Sequence, residues 1–200
     1  MANPIDFYFD FSSPYGYFAA SKIEDIAARH GRTVNWRPIL LGAVFKVTGQ
    51  QPLPTIPLKG DYSKRDLERT AKLLNLPFKL PTKFPISTQS PARAFYYLNN
   101  RDPALAKRLA LALYVAYFAD DVDISSPENT ADIAAHAGVD KTEMTAALND
   151  PAVKDRLRHE VDAAVALGVF GSPYIVVDGE PFWGSDRLDQ VEKWLSTGGW

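Results

Sequence analysis

The stretch IDFYFDFSSPYGY, Ile5 to Tyr17, decides how this chain is to be read. Its first half is an apolar and aromatic run of about six residues, the composition of a buried strand. It passes without a linker into Ser12-Ser13-Pro14. Proline suits the first helical position, where its missing N–H leaves no bond unmade and its φ is already helical. Ser13 is then the N-cap, its hydroxyl beside unpaired backbone N–H groups and the positive end of the helix dipole. An anion or a thiolate would be stabilised there. A Ser-Pro pair at a helix start is also common punctuation, so chemistry at Ser13 requires partners elsewhere in the chain.

The following segment to His30 carries apolar Phe18, Ile23, Ile26 and Ala27 and meets Gly31, which predicts one helix over Pro14–His30. Thr33 to Ile39 alternates and is rich in β-formers, so it reads as a second strand, and Pro38 makes it an edge or a terminating one. A strand–helix–strand unit of this length implies a parallel pair with a right-handed crossover. Leu40 to Gly60 reads as a long connection carrying Lys46, Lys59 and the polar turn Gly49-Gln50-Gln51; connections this long tend to be functional. Ser63 caps an expected helix to Asn75. From Pro91 to Gly168 the pattern is almost wholly helical, with starts at Pro127, at Asp140 or Lys141, and at Asp150-Pro151.

The β pattern then returns. Ser172 to Asp178 is a strand, Asp178-Gly179 a hairpin turn, Glu180 to Trp183 its partner. Gly184-Ser185-Asp186-Arg187 leads into a final helix bearing Leu188, Val191 and Leu195. The order is β-α-β, a helical block, then β-β-α. That is an α/β chain of thioredoxin-like topology, residues 1–60 and 169–200, with an all-helical insertion at 61–168. In such a sheet ligands gather at the strand ends beside helix starts, where Ser13-Pro14, Ser172-Pro173 and Gly184–Arg187 converge.

Composition narrows the function. The net charge is −2, with no Lys/Arg-rich run, so nucleic acid is not an expected partner. No apolar stretch reaches the length of a membrane span, and the first residues lack the pattern of a signal peptide, so a cytoplasmic enzyme or binding protein is expected. The chain has no cysteine, which removes protein thiol catalysis, disulfides and thiolate metal sites. His30, His136 and His159 lie on helical stretches without metal-like spacing, and no metal is expected.

The motifs DFSSPYGY, RPILLGAVFKVTGQQP, LKGDY and GVFGSPYIVVDGEPFWGSDR, in this order, resemble those of 2-hydroxychromene-2-carboxylate isomerases, relatives of kappa-class glutathione transferases in the DsbA-like thioredoxin superfamily. Where oxidoreductases of that superfamily carry Cys-Pro-x-Cys, this chain has Ser13-Pro14-Tyr15-Gly16. The resemblance therefore implies that the thiol comes from glutathione, hydrogen-bonded through its sulfur to Ser13. It also matches Pro173 to the cis-proline loop, where Ser172 pairs its backbone with the cysteinyl part of the ligand. Ser185 and Asp186 match the pair that holds the γ-glutamyl end, and Lys59 a lysine on a glutathione carboxylate. Gln50 stands where relatives often carry Asn. The implied reaction is reversible thiolate addition, ring opening, rotation and thiolate release. It gives trans-o-hydroxybenzylidenepyruvate, with glutathione regenerated, and a homodimer is implied as well.

For an aromatic carboxylate substrate, Arg37, Lys46 and Arg65 are candidate cations, and Phe45, Tyr62, Phe84 and Trp183 candidate walls; core packing accounts for these aromatics, and for Tyr15 and Tyr17, equally well. Two other readings share the site. A kappa-like transferase or peroxidase would consume glutathione, and a non-catalytic thioredoxin-fold protein would only bind it.

Overall fold

The computed structural model describes residues 3–200. Strand β1 (Ile5–Phe9) leads through Ser13 into α1 (Pro14–Ala20) and α2 (Ile23–Arg29), and β2 (Val34–Pro38) pairs parallel to β1. The helix expected over Pro14–His30 is thus two. The Ser21 hydroxyl donates to the Phe18 carbonyl and the Lys22 N–H to that of Ala19, closing α1 before α2 starts. After the insertion, β3 (Tyr174–Val177) pairs antiparallel to β1, and β4 (Glu180–Trp183) antiparallel to β3. The sheet order is β2-β1-β3-β4, so β2 is an edge strand ending at Pro38, and β1 is central.

The segment read as a 21-residue connection holds a helix instead. α3 (Leu41–Thr48) is followed by a 3-10 turn at Leu53–Thr55, and α4 (Lys59–Leu73) begins before the Ser63 that was expected to cap it. Ser63 is buried inside α4, its hydroxyl donating to the Gly60 carbonyl. The division at residue 61 therefore cuts the first turn of α4. The remaining insertion helices are α5 (Gln89–Asn99), α6 (Pro103–Phe118), α7 (Pro127–His136), α8 (Lys141–Asn149) and α9 (Pro151–Ala166). Asp102, Ser126, Asp140 and Asp150 cap the last four through their side chains, as their positions before Pro or Lys predict. A 3-10 turn over Ser185–Arg187 precedes α10 (Leu188–Thr197), so Ser185 and Asp186 stand one turn ahead of the α-helix they were expected to open.

β1 is covered on both faces, which is why its sequence is apolar apart from Asp6, the one residue of the strand that is not buried. Ile5, Phe7 and Phe9 join the main core, where the Phe9 ring lies 6.1 Å from Phe95 of α5 and 5.9 Å from Tyr114 of α6. Sheet and insertion share this core. Tyr8 faces a smaller cluster with Ile39, Val44, Ala164, Val169 and Tyr174. Among the described residues no helix is long and apolar enough to cross a membrane.

Candidate functional site

At the end of β1 the chain turns sharply, because the Ser13 N–H donates to the Asp10 carbonyl (2.9 Å). Ser13 caps α1 as expected. Its hydroxyl oxygen accepts from the Gly16 N–H at 3.0 Å, and its O–H donates to the Ser172 carbonyl at 2.9 Å. Residues 159 positions apart in sequence are joined by that bond. Ser172-Pro173 is a cis peptide, and the Pro173 carbonyl accepts from the Gly184 N–H (3.1 Å), tying this loop to the Ser185–Arg187 turn. The three stretches singled out in the sequence therefore form one wall.

Two glycines permit this approach. A Cβ on Gly16 would lie 2.7 Å from the buried Tyr114 hydroxyl and 3.0 Å from the Ser172 hydroxyl oxygen; one on Gly171 would lie 2.2 Å from Trp183 Nε1. Gly171 thereby lets the Trp183 ring, half exposed and stacked edge-on against Phe170, lie over the loop.

In front of the wall opens a cleft of roughly 1930 Å³. Ser13, Pro14, Ser172, Ser185 and Asp186 line it, and so do Lys46 of α3, Gln50 of the loop that follows, and Lys59 and Tyr62 of α4, which form its rim. Pro173 is buried behind Ser172 and does not face the cleft. Phe45, Phe84 and Trp183 are also cleft residues. Two of the three candidate cations lie outside the cleft that the aromatic carboxylate reading needs them to line: Arg37 is on β2, engaged at 2.7 Å with Asp6 and at 3.4 Å with Glu160. Arg65 projects from α4 into solvent, away from the lining. Lys46 remains. Both Lys46 and Lys59 are exposed and make no ion pair among the described residues. None of the three histidines lines the cleft.

Tyr15 lines the cleft and donates its hydroxyl to Asp66 of α4 (3.1 Å); burial, with Asp66 beside it, pushes its pKa far up, so it stays a neutral donor. Tyr17 is a core residue, stacked on Phe118 at 5.7 Å with its hydroxyl on the Pro77 carbonyl.

Sequence reasoning missed Asp10. It is 2% exposed, between Phe9 and Phe11, and its carboxylate accepts three hydrogen bonds: from Ser12 N–H (2.7 Å), Leu41 N–H (2.7 Å) and the Thr88 hydroxyl (3.1 Å). Burial raises its pKa to about 6, against the lowering effect of those donors. A carboxylate between two phenylalanines at the end of the strand was the available signal, since such a group is almost never buried without a purpose-built set of partners.

This arrangement suits a small ligand with charged ends. The wall offers a hydroxyl and a carbonyl from opposite ends of the chain, and the rim offers cations at Lys46 and Lys59 against an anion at Asp186.

Residues 4–196 match the model of the DSBA-like thioredoxin domain. The chain belongs to the DsbA-like thioredoxin family. It is 31% identical to a 2-hydroxychromene-2-carboxylate isomerase of Sphingobium xenophagum, over 98% of this chain and 99% of that one. A glutathione S-transferase kappa 2 of Caenorhabditis elegans is 30% identical over 96% of this chain and 91% of its own length. Among solved structures, that of a 2-hydroxychromene-2-carboxylate isomerase superposes with a TM-score of 0.88 at 27% identity, covering 97% of this chain and 95% of that one. These relatives are named isomerases and a glutathione transferase.

Proposed function

We propose that the protein is a glutathione-dependent isomerase that interconverts 2-hydroxychromene-2-carboxylate and trans-o-hydroxybenzylidenepyruvate, a step of naphthalene-type aromatic catabolism. The observation that carries this reading is the Ser13 hydroxyl, placed where a redox relative would need a cysteine, on a cleft of a chain that contains none. Bound glutathione supplies a thiolate for reversible addition to an α,β-unsaturated keto acid.

The chain's own residues supply the rest. A free thiol ionises near pH 8.5, so only a few per cent is thiolate at neutrality. A charge-assisted bond from the Ser13 hydroxyl stabilises the anion by about 1.5–3 kcal/mol, equivalent to roughly one to two pH units. To give that bond, Ser13 turns its O–H away from the Ser172 carbonyl, which is freed for the ligand's own amide N–H. Its oxygen continues to accept from Gly16. Asp186 takes the γ-glutamyl ammonium and Ser185, at the turn before α10, its carboxylate, with Lys59 and Gln50 on the rim holding the other carboxylate end. Lys46 pairs with the substrate carboxylate, and Phe45, Tyr62 and Trp183 give its ring an apolar slot that sheds water. The family likeness adds a homodimer and a cytoplasmic location.

The kappa-class relatives favour a second reading, transfer of glutathione to an electrophile or peroxide, on the same residues. Stoichiometry separates the two. Purified protein mixed with 2-hydroxychromene-2-carboxylate is expected to form the ring-opened product quickly only when glutathione is present, with no loss of free thiol. Thiol disappearing in step with product selects the transferase, and glutathione binding in a calorimeter without any rate on electrophiles leaves a binding protein.

A further inference from the structure

Asp10 does no chemistry in the reading above, yet it bonds to two of the three stretches that form the wall, those of Ser13 and Ser172. Its carboxylate takes the N–H of Ser12, next to Ser13. Its backbone N–H donates to the Ser172 hydroxyl (2.9 Å), and its carbonyl accepts from Ser13 N–H (2.9 Å) and the Tyr114 hydroxyl (3.0 Å).

Two partners give up ordinary bonds to reach it. Thr88 occupies the N-cap of α5, but its side chain makes no capping bond there and instead donates to Asp10. Leu40, at the N-cap of α3, has no side chain able to cap, and the carboxylate accepts from Leu41 N–H in its place. One buried anion thus closes the start of α3, anchors the N-cap residue of α5 and holds the turn before Ser13. A hydrophobic residue would avoid the desolvation cost, so holding the anion here fits a demand for geometry rather than stability. The ionisable groups near it are Tyr114 and Tyr117 of α6, both held neutral by burial, with Asp10 raising their pKa values further; no charged side chain is among the causes of its own shift.

We propose that Asp10 is a positioning residue: by bonding Ser12, Leu41 and Thr88 at once, its carboxylate fixes the turn that aims the Ser13 hydroxyl at the glutathione sulfur. This rests on glutathione being the ligand of the cleft. In Asp10→Asn the amide presents donors on one side, so Ser12 N–H or Leu41 N–H loses its acceptor and the turn loosens. A purely through-space role would work in the other direction, because removing a nearby negative charge favours a thiolate.

The test is the ultraviolet absorbance of the thiolate of bound glutathione between pH 5 and 9, free of protein thiols because the chain has none. Calorimetry on the same samples gives the glutathione affinity, and thermal melts give stability. In Asp10→Asn the thiolate midpoint is expected to rise by about one pH unit, tenfold less thiolate on the acid side, while glutathione binding changes by less than about threefold. Thr88→Val, which removes a single donor and keeps the side-chain shape, is expected to move it the same way by about half a unit. A midpoint that stays or falls in both variants, with glutathione still bound, overturns the proposal, as does a loss of affinity and stability with no change in midpoint. Should Asp10→Asn not fold, Thr88→Val decides alone. Absence of binding heat in the wild type overturns the glutathione reading itself, and the role of Asp10 with it.

Discussion

On one wall of the cleft Asp10, Ser12 and Ser13 are at most 9% exposed and share hydrogen bonds with Ser172, Thr88 and the backbone of α3. At the rim Lys46, Gln50 and Lys59 stand in solvent, and Tyr62 is 64% exposed. The first wall is rigid and saturated with polar bonds, as a group that must meet one sulfur atom requires. The rim is long, polar and adaptable, which suits ligand ends and a second substrate. Catalytic rate is therefore expected to depend on the wall, affinity and substrate range on the rim.

The comparison breaks most readily at Ser13. Ser13→Ala removes both the thiolate donor and the cap on Gly16 N–H; kcat is expected to fall about 10- to 100-fold, with stability reduced by only about 1 kcal/mol. Turnover close to the wild type would take the hydroxyl out of the chemistry. Gly16→Ala drives a Cβ to 2.7 Å from the Tyr114 hydroxyl, which is anchored on the Asp10 carbonyl and cannot yield freely. A loss of about 1–3 kcal/mol in denaturant unfolding is expected, together with weaker activity.

Stability should also depend on pH through the wall. Asp10 has its pKa raised from 3.8 to about 6 in the fold, so the folded state binds its proton more tightly than the unfolded one. The group's contribution is fully present below about pH 4 and fades as pH rises through about 6, by about 3 kcal/mol at most. The difference in melting temperature between wild type and Asp10→Asn is expected to shift in the variant's favour across that window, and a flat difference would contradict the raised pKa.

On the rim, Lys59→Ala is expected to raise KM for glutathione about threefold to tenfold with kcat nearly unchanged, the loss shrinking as salt is added. A fall in kcat instead would move Lys59 from the rim's role to the wall's. The smallest effect belongs to Leu58, which sits at φ +68, ψ −47, almost fully exposed, with Lys59 N–H bonded to the Pro57 carbonyl across it. Leu58→Gly relieves about 1 kcal/mol of backbone strain and is expected to leave stability level or slightly higher.

The sequence made the wall legible and the rim less so, for a physical reason. Strand β1, the Ser13 cap, the hairpin at Asp178-Gly179 and the four capped helices of the insertion each carry their signal within a few residues. α3 does not. Its residues include Gly42, two valines and a threonine, all poor helix formers, and its start is closed by a carboxylate 31 residues upstream. Ser63 misled in the opposite way, since a good capping residue fell one turn inside a helix that begins after the Leu58 kink. Asp10 was overlooked because it directly follows an apolar run whose reading as a strand was correct. Arg37 was a candidate by charge alone, and only tertiary structure reveals that Asp6 and Glu160 already hold it.

The most direct test of the account is isomerisation of 2-hydroxychromene-2-carboxylate with glutathione at about a hundredth of the substrate concentration, following product absorbance and free thiol together. The account predicts conversion to equilibrium, many product molecules per glutathione, with the thiol titre unchanged and the rate lost in Ser13→Ala. A reaction that stops once product equals the glutathione supplied would show that the thiol is consumed, and would contradict it.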